Sequence, residues 1–238
     1  MDADVSTDFI GVPLNRKSMH IYYVRNAILT KLKAALPLFR GTLLDVGCGH
    51  MPYKSAVLAA NANVSNYIGM DLSDNRSYAN KPDISWDGAV IPLADGSVDC
   101  AMATEVLEHC PHPEKTLTEI HRVLKPEGIL LITVPFIWML HEVPYDEYRY
   151  TPFALKRLVE SSGFKIIELS ALGGWNASLA QFIANWLYYS EGNRTLRRVA
   201  KVLFFPIFKG LIKRDKVPIE FQSGQMINGL SCLAQKTA

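Results

Sequence analysis

Acidic side chains recur in this sequence where apolar runs give way to turns, a placement suited to holding a hydroxyl-rich, nucleotide-like ligand. Asp45 lies within Leu43-Leu44-Asp45-Val46-Gly47-Cys48-Gly49-His50. Leu43, Leu44 and Val46 read as a buried strand, and Gly47 and Gly49 let the chain turn tightly and approach a ligand without an intervening Cβ. About 22 residues past Gly49, Tyr67-Ile68-Gly69-Met70-Asp71 reads as a second strand ending in a carboxylate. An acid at that point can accept hydrogen bonds from both hydroxyls of a ribose. Asp87 then precedes the turn-rich Ile91-Pro92-Leu93-Ala94-Asp95-Gly96-Ser97, and the apolar run from Val98 to Ala103 leads into Thr104-Glu105-Val106-Leu107-Glu108-His109.

Such side chains must be carried by an open α/β sheet, whose ligands sit at the carboxyl ends of the strands. Helical spacing from His20 to about Phe39 puts Ile21, Val24, Ile28, Leu32 and Leu36 on one stripe. Short helices are predicted over 55–60 and over 113–124, the latter with Glu114 in its first turn and Arg122 and Lys125 at its end, as the helix dipole favours. Lys125-Pro126-Glu127-Gly128 reads as a stop and turn before a fifth strand, 129–134. A helix over 152–162 ends at Gly163, followed by a strand over 164–169; a last strand over 229–234 is expected to pair antiparallel beside the sixth and close the sheet.

The ordered run LLDVGCG, YIGMD, WDGAVIPLADGSVD, ATEVLEH and HRVLKPEGILLITVPF resembles the class I S-adenosylmethionine-dependent methyltransferases of the type 11 group, from about Thr42 to Phe136. The resemblance implies a seven-stranded Rossmann-like α/β sheet with helices on both faces, an antiparallel last strand and a helical insert between the last two strands. It implies S-adenosyl-L-methionine as cofactor. Asp45, Gly47 and Gly49 would form the loop under its methionine part, Asp71 would hold the ribose hydroxyls, and Asp87 would accept from the adenine amino group, with Gly88 and Ala89 contributing backbone and Leu72 a further cofactor contact. Thr104 and Glu105 would line the methyl-transfer site, Glu105 as a catalytic candidate. The commonest family loop has a third glycine where this chain has Met51; the run from Gly47 to Tyr53 instead resembles a subgroup with a Gly-Cys-Gly-x-x-Pro-Tyr loop.

Two regions depart from a minimal enzyme of this kind and are expected to select the acceptor. His141 to Thr151 follows the fifth strand and is dense in groups that titrate or hydrogen-bond. His141 is the candidate general base there, with Tyr148, Arg149 and Tyr150 as substrate-positioning groups; the plainer alternative is a loop tied down by Asp146, Glu147 and Arg149 as ion pairs. This segment also resembles one in type 11 members encoded near glycan-assembly enzymes, which implies a glycan or lipid-linked sugar as acceptor. His109, four residues past Glu105, would lie one helical turn on if Glu105 opens a helix, although a packing role is the commoner one for a lone histidine. Trp138, Trp175 and Trp186 could stack on an acceptor or simply pack.

The second region is the insert, 173–225. Residues 169–190 carry no charge, whereas 194–216 carry eight basic residues and one acidic, +7 against −5 for the remaining chain. The basic residues flank Val202-Leu203-Phe204-Phe205-Pro206-Ile207-Phe208. This region reads as a helical lid over the acceptor pocket, or as a cationic, aromatic segment lying in a membrane interface. Asn176, Gln181 and Asn185 argue against a spanning helix, which needs roughly 20 predominantly apolar residues.

Length and composition fit one soluble domain of 238 residues: an N-terminal helical region 1–40, a cofactor-binding core 41–172, the insert 173–225 and a last strand 226–238. Cys48, Cys100, Cys110 and Cys232 show no metal-ligand spacing, so no metal is expected, and a cytoplasmic location, with contact at a membrane surface through 194–216, fits. Residues 1–17 read as irregular, with Asp2, Asp4 and Asp8 giving no secretory signal. A nicotinamide-dependent oxidoreductase is disfavoured because Pro52 stands where G-x-G-x-x-G needs glycine. A non-catalytic binding module is disfavoured by the complete set Asp45, Asp71 and Asp87, each dispensable to a core. Nucleic acid is disfavoured as a substrate: the Asn/Asp-Pro-Pro-Tyr run of base methylation is absent where Ala103-Thr104-Glu105-Val106 stand. The expected substrate is a small-molecule or glycan acceptor, methylated on oxygen.

Overall fold

Near-continuous burial along the central strands, over 43–46, 100–103 and 129–135, marks a sheet covered on both faces. The computed structural model describes residues 9–72 and 81–237; Asp2, Asp4 and Asp8 lie outside them. Helix α1 (Met19–Ala35) leads to β1 (Gly41–Val46), α2 (Lys54–Ala60), β2 (Val64–Leu72), β3 (Ile84–Trp86) and β4 (Val98–Thr104). Then follow α3 (Pro113–Val123), β5 (Leu124–Pro135), α4 (Pro152–Ser161), β6 (Phe164–Ala171), α5 (Trp175–Tyr189), α6 (Arg194–Lys213) and β7 (Gly229–Lys236).

Successive strand residues point to opposite faces. Leu44, Ala101, Ala103, Leu130 and Ile132 pack with Leu117 and Ile120 of α3 and Leu155 and Val159 of α4. Their neighbours Leu43, Cys100, Met102 and Leu131 pack on the other face with Ile28 and Leu32 of α1 and Val57 of α2. A fully buried leucine contributes about 1.5–3 kcal/mol, so neither face can be left uncovered.

The strand order is β3-β2-β1-β4-β5-β7-β6, parallel except for β7. Chain direction across the sheet reverses between β1 and β4, which opens a crevice at their carboxyl ends. The last strand does lie beside β6, but it does not close the sheet: β7 pairs with both β5 and β6, and β6 is the edge. The turn expected at Lys125–Gly128 is a bulge within β5, since Val98 pairs with Leu124 and Cys100 with Ile129. Glu127 takes a positive φ of 64° there, and Lys125 Nζ reaches Asp99 at 2.7 Å.

Helices α5 and α6 leave the carboxyl edge after β6 and dock on the start of α1 rather than on the sheet. Ala180, Ala184 and Leu187 enclose Met19 and Phe208, and His20 stacks on Tyr188 at 3.9 Å. Asp215 accepts from the backbone N–H groups of Gly174 and Ala177 at the start of α5. Phe208 is buried and Phe204 and Phe205 half-buried in that cluster. No helix among the described residues is long and apolar enough to cross a membrane.

Candidate functional site

The crevice between β1 and β4 is floored by the glycine loop. Gly47 (φ 65°) must lack a Cβ, which would stand 2.6 Å from Val106 Cγ2, whereas a Cβ on Gly49 would meet open space. That open side is where a ligand can lie against bare backbone. Asp71, at the end of β2, holds the loop from beneath: its Oδ2 accepts from Gly49 N and its Oδ1 from Leu72 N, both at 2.7 Å. A carboxylate has about four acceptor positions, so two such bonds leave capacity for ligand hydroxyls. Leu72 is exposed and Gly88 (φ 82°) lies against its side chain.

Asp87, just past β3, is exposed and accepts from Ala89 N and Val90 N, which hold its carboxyl below the usual range. Asp45 differs in kind. It is buried, accepts from the Tyr67 hydroxyl at 2.5 Å, and burial pushes its pKa up to about 7 despite that bond. Asp45 therefore ties β1 to β2 from within the sheet, and Tyr67, on the paired strand, is a partner that the sequence motif does not disclose.

Beyond β4 the backbone breaks rather than starting a helix. Glu105 takes a positive φ of 57°, its N–H donates to Thr133 O, and its Oε1 accepts from the Thr133 hydroxyl at 2.9 Å. Burial raises its pKa. The expected helical step from Glu105 to His109 is therefore corrected: a single 3-10 turn, Leu107–His109, follows instead. Thr104 stays on β4, half-buried and opposite Thr133.

The segment 136–150 folds back over that turn, because the backbone N–H groups of Glu147 and Tyr148 both donate to Glu108 O. Arg149 binds both oxygens of Asp146 (2.6 and 2.8 Å) and the carbonyls of Tyr148 and Met139. This fork holds the Asp146 carboxyl down at about 2. Asp146 in turn accepts from the backbone N–H of His141 at 3.1 Å and faces its Nδ1 at 3.2 Å. Of the expected positioning groups, Arg149 is thus committed to internal bonds. Tyr150 is core, its hydroxyl donating to Leu107 O, and Tyr148 alone is exposed.

The structure also gathers residues that the motif reading passes over. Glu108 is fully buried, and burial, with Glu105 nearby, raises its carboxyl well above the usual range. His109 and His141 meet edge to face, 4.6 Å between centroids. Arg25 of α1 lies under the ring of Phe9 at 4.0 Å, and its charge favours ionised Glu105. The signal was present in Glu105-x-x-Glu108-His109, but only the returning loop shows what it faces. Trp138 is half-buried, and Trp175 and Trp186 are exposed on α5. A separate cavity of about 700 Å³ lies between α1, the end of β6 and the tail of the insert, lined by Tyr22, Tyr23, Leu172 and Ile219 and by none of the expected site residues.

Residues 44–132 match the family model described as "Methyltransferase domain". An "Uncharacterized methyltransferase" of Mycobacterium ulcerans is 31% identical over 168 residues, 65% of this chain and 62% of that one. The "Uncharacterized 37.1 kDa protein in transposon TN4556" of Streptomyces fradiae is 35% identical over 146 residues, 58% of this chain and 41% of that one. The chain thus spans less than two thirds of the length of these relatives. Among solved structures, a S-adenosylmethionine-dependent methyltransferase from Mesorhizobium loti matches with a TM-score of 0.55 and 16% identity, over 88% of this chain and 98% of that one. The 4+2 cyclase SpnF matches with a TM-score of 0.57 and 20% identity, over 90% of this chain and 83% of that one. At such identities the likeness is one of fold.

Proposed function

We propose that this chain, whose residues 44–132 form a methyltransferase domain, transfers a methyl group to a hydroxyl of a small-molecule or glycan acceptor. S-adenosyl-L-methionine is the cofactor of that domain, and when bound it supplies an activated methyl group on a sulfonium. The single observation that carries the reading is the set of acids Asp45, Asp71 and Asp87 around an open glycine loop at the strand reversal. In this reading Gly47 and Gly49 bring backbone against the methionine end and Asp71 accepts from the ribose hydroxyls. Asp87, Gly88 and Leu72 border the adenine, and Thr104 and Glu105 border the transfer site. The Gly47 to Tyr53 loop is taken as that of the Gly-Cys-Gly-x-x-Pro-Tyr subgroup.

Attack on a sulfonium needs alignment more than acid–base help. An alcohol must also lose its proton, and the groups at that edge are His141, Glu105 and Glu108. Exposed Leu140, Val143, Tyr145 and Tyr148 give the acceptor side an apolar, aromatic rim. Such a rim favours an amphipathic acceptor such as a lipid-linked sugar. Incubation with methyl-labelled cofactor and a panel of nucleotide sugars and lipid-linked glycans is expected to label a glycan; binding of a nicotinamide dinucleotide and none of S-adenosylmethionine would refute the reading.

A second reading concerns location. The insert turns outward a stripe of Trp175, Leu179, Phe182 and Trp186 on α5, with Leu196, Val199 and Leu203 on α6. Together with the +7 of 194–216, this favours docking of a cytoplasmic protein on an anionic bilayer over a purely internal lid. Each basic residue near such a surface is worth about 1 kcal/mol. Sedimentation with phosphatidylglycerol vesicles should therefore succeed at low salt and fail near 1 M; no sedimentation at low salt would leave the lid.

A further inference from the structure

The 3-10 turn after β4 and the segment after β5 bring together three side chains of metal-ligand type. One oxygen of Glu108 and one ring nitrogen each of His109 and His141 all lie within 4.8 Å of one another. Glu108 Oε1 is 3.9 Å from His109 Nε2. Glu108 is 0% exposed, and neither of its side-chain oxygens accepts a hydrogen bond. Leaving a buried polar group unpaired costs about 1–3 kcal/mol, so such a group calls for a reason.

Both histidines are already aimed. The Tyr145 carbonyl, 3.1 Å from His109 Nδ1, can only accept, so that nitrogen carries the ring proton. Asp146, gripped by the Arg149 guanidinium, accepts in the same way from His141 Nδ1 at 3.2 Å. In the neutral rings the lone pairs therefore sit on Nε2. A histidine whose Nδ1–H is held by a carbonyl or carboxylate while Nε2 stays available is the arrangement of metal-binding histidines. Two imidazoles and one carboxylate suit a first-row divalent cation and leave coordination positions open. The histidine side chains, 22% and 26% exposed, leave a way in.

We propose that Glu108, His109 and His141 bind a divalent transition-metal cation of the zinc or manganese class at the acceptor edge of the site. The binding stands on this geometry; its role rests on the methyl-transfer reading. An acceptor hydroxyl drawn to the cation becomes more acidic and releases its proton to solvent. The resulting oxygen attacks the methyl carbon: a C–O bond forms as the S–C bond breaks, its electron pair returning to sulfur. His141 then serves as ligand, and no protein base is needed.

The test uses the full chain, stripped with chelator and titrated with Co²⁺ as a spectroscopic probe. Ligand-field absorption saturating at one cation per chain, displaced by Zn²⁺, is expected. Glu108→Gln, which preserves shape and removes the charge, and His141→Ala should each weaken Co²⁺ binding by about 100-fold or more, beyond the loss of a ligand's hydrogen-bond partner. His112→Ala, on an exposed histidine outside the cluster, should leave it unchanged. Circular dichroism and S-adenosylmethionine affinity of the same variants report whether fold and cofactor site are intact. Failure of Co²⁺ binding in protein that binds S-adenosylmethionine overturns the metal site alone; failure of S-adenosylmethionine binding overturns the methyl-transfer reading alone. Unchanged Co²⁺ affinity in Glu108→Gln and His141→Ala refutes the assignment. Full-rate methyl transfer by the stripped protein refutes the catalytic role.

Discussion

The two sides of the crevice are built on opposite plans. On the proposed cofactor side, the three acids are each satisfied by a close neighbour: Asp71 by Gly49 and Leu72, Asp87 by Ala89 and Val90, Asp45 by Tyr67 on the adjoining strand. On the proposed acceptor side, the groups come from β4's end and from a loop more than thirty residues later, tied by Asp146 and Arg149, and the Glu108 carboxyl is left without a hydrogen bond. The first side is a cradle whose acids are already hydrogen-bonded, and the second leaves the buried Glu108 carboxyl without a hydrogen-bond partner. A widely shared ligand suits the cradle, and a particular acceptor suits the side whose chemistry is held by long-range contacts.

Crossed substitutions test that division. Arg149→Met should have the largest effect, a stability loss of about 3 kcal/mol, because it leaves the nearly buried Asp146 carboxylate without its fork. Its cofactor affinity, read by calorimetry on folded protein, should stay near wild type. Asp71→Ala should do the reverse. Charged hydrogen bonds are worth about 1.5–3 kcal/mol each, so loss of the ribose acceptor should weaken cofactor binding by at least about tenfold, with a smaller change in thermal midpoint. If Arg149→Met abolished cofactor binding in a folded protein, the two sides would not be separable.

Asp45 gives a gentler test of the cradle. Its folded pKa, about 7, lies above the unfolded value of about 3.9, so between those limits the native state keeps a proton that the unfolded chain releases. The contribution of Asp45 is therefore fully present below about pH 4 and is lost as pH rises through 7, with a slope of at most about 1.4 kcal/mol per unit. Asp45→Asn should flatten this part of the stability–pH curve, as measured by urea unfolding from pH 5 to 8. An unchanged slope would mean that Asp45 is ionised in the fold.

The cofactor side was legible because its information is local. A strand, a glycine turn and an acid on the next strand fall within one βαβ unit, where residue type and spacing dictate geometry. Even there, Tyr67 looked like an ordinary strand aromatic until the register placed its strand against β1. The acceptor side was legible only as composition. Arg149 and Tyr150 read as groups for a substrate, but the loop's return onto Glu108 O makes one a clamp and the other core. The helical step to His109 failed because Glu105 adopts a left-handed backbone to donate to Thr133 O, a contact across the sheet that periodicity cannot carry. In the insert, residues 204, 205 and 208 turn into the cluster that α6 shares with α5 and the start of α1, and their aliphatic neighbours on α6 face out.

The position of β7 sets a timetable for synthesis. A chain made from its amino end completes β5 at Pro135 and β6 at Ala171, yet each reaches its shared partner only when residues 229–236 emerge. Until then the edges of β5 and β6 that will receive β7 have nothing to bond, and an unpaired apolar edge is a template for association with another chain. The nascent protein therefore passes through a stage in which α5 and α6 exist while the sheet is still split. Slowing translation just before Gly229 should prolong that stage, and chaperone dependence should track its length.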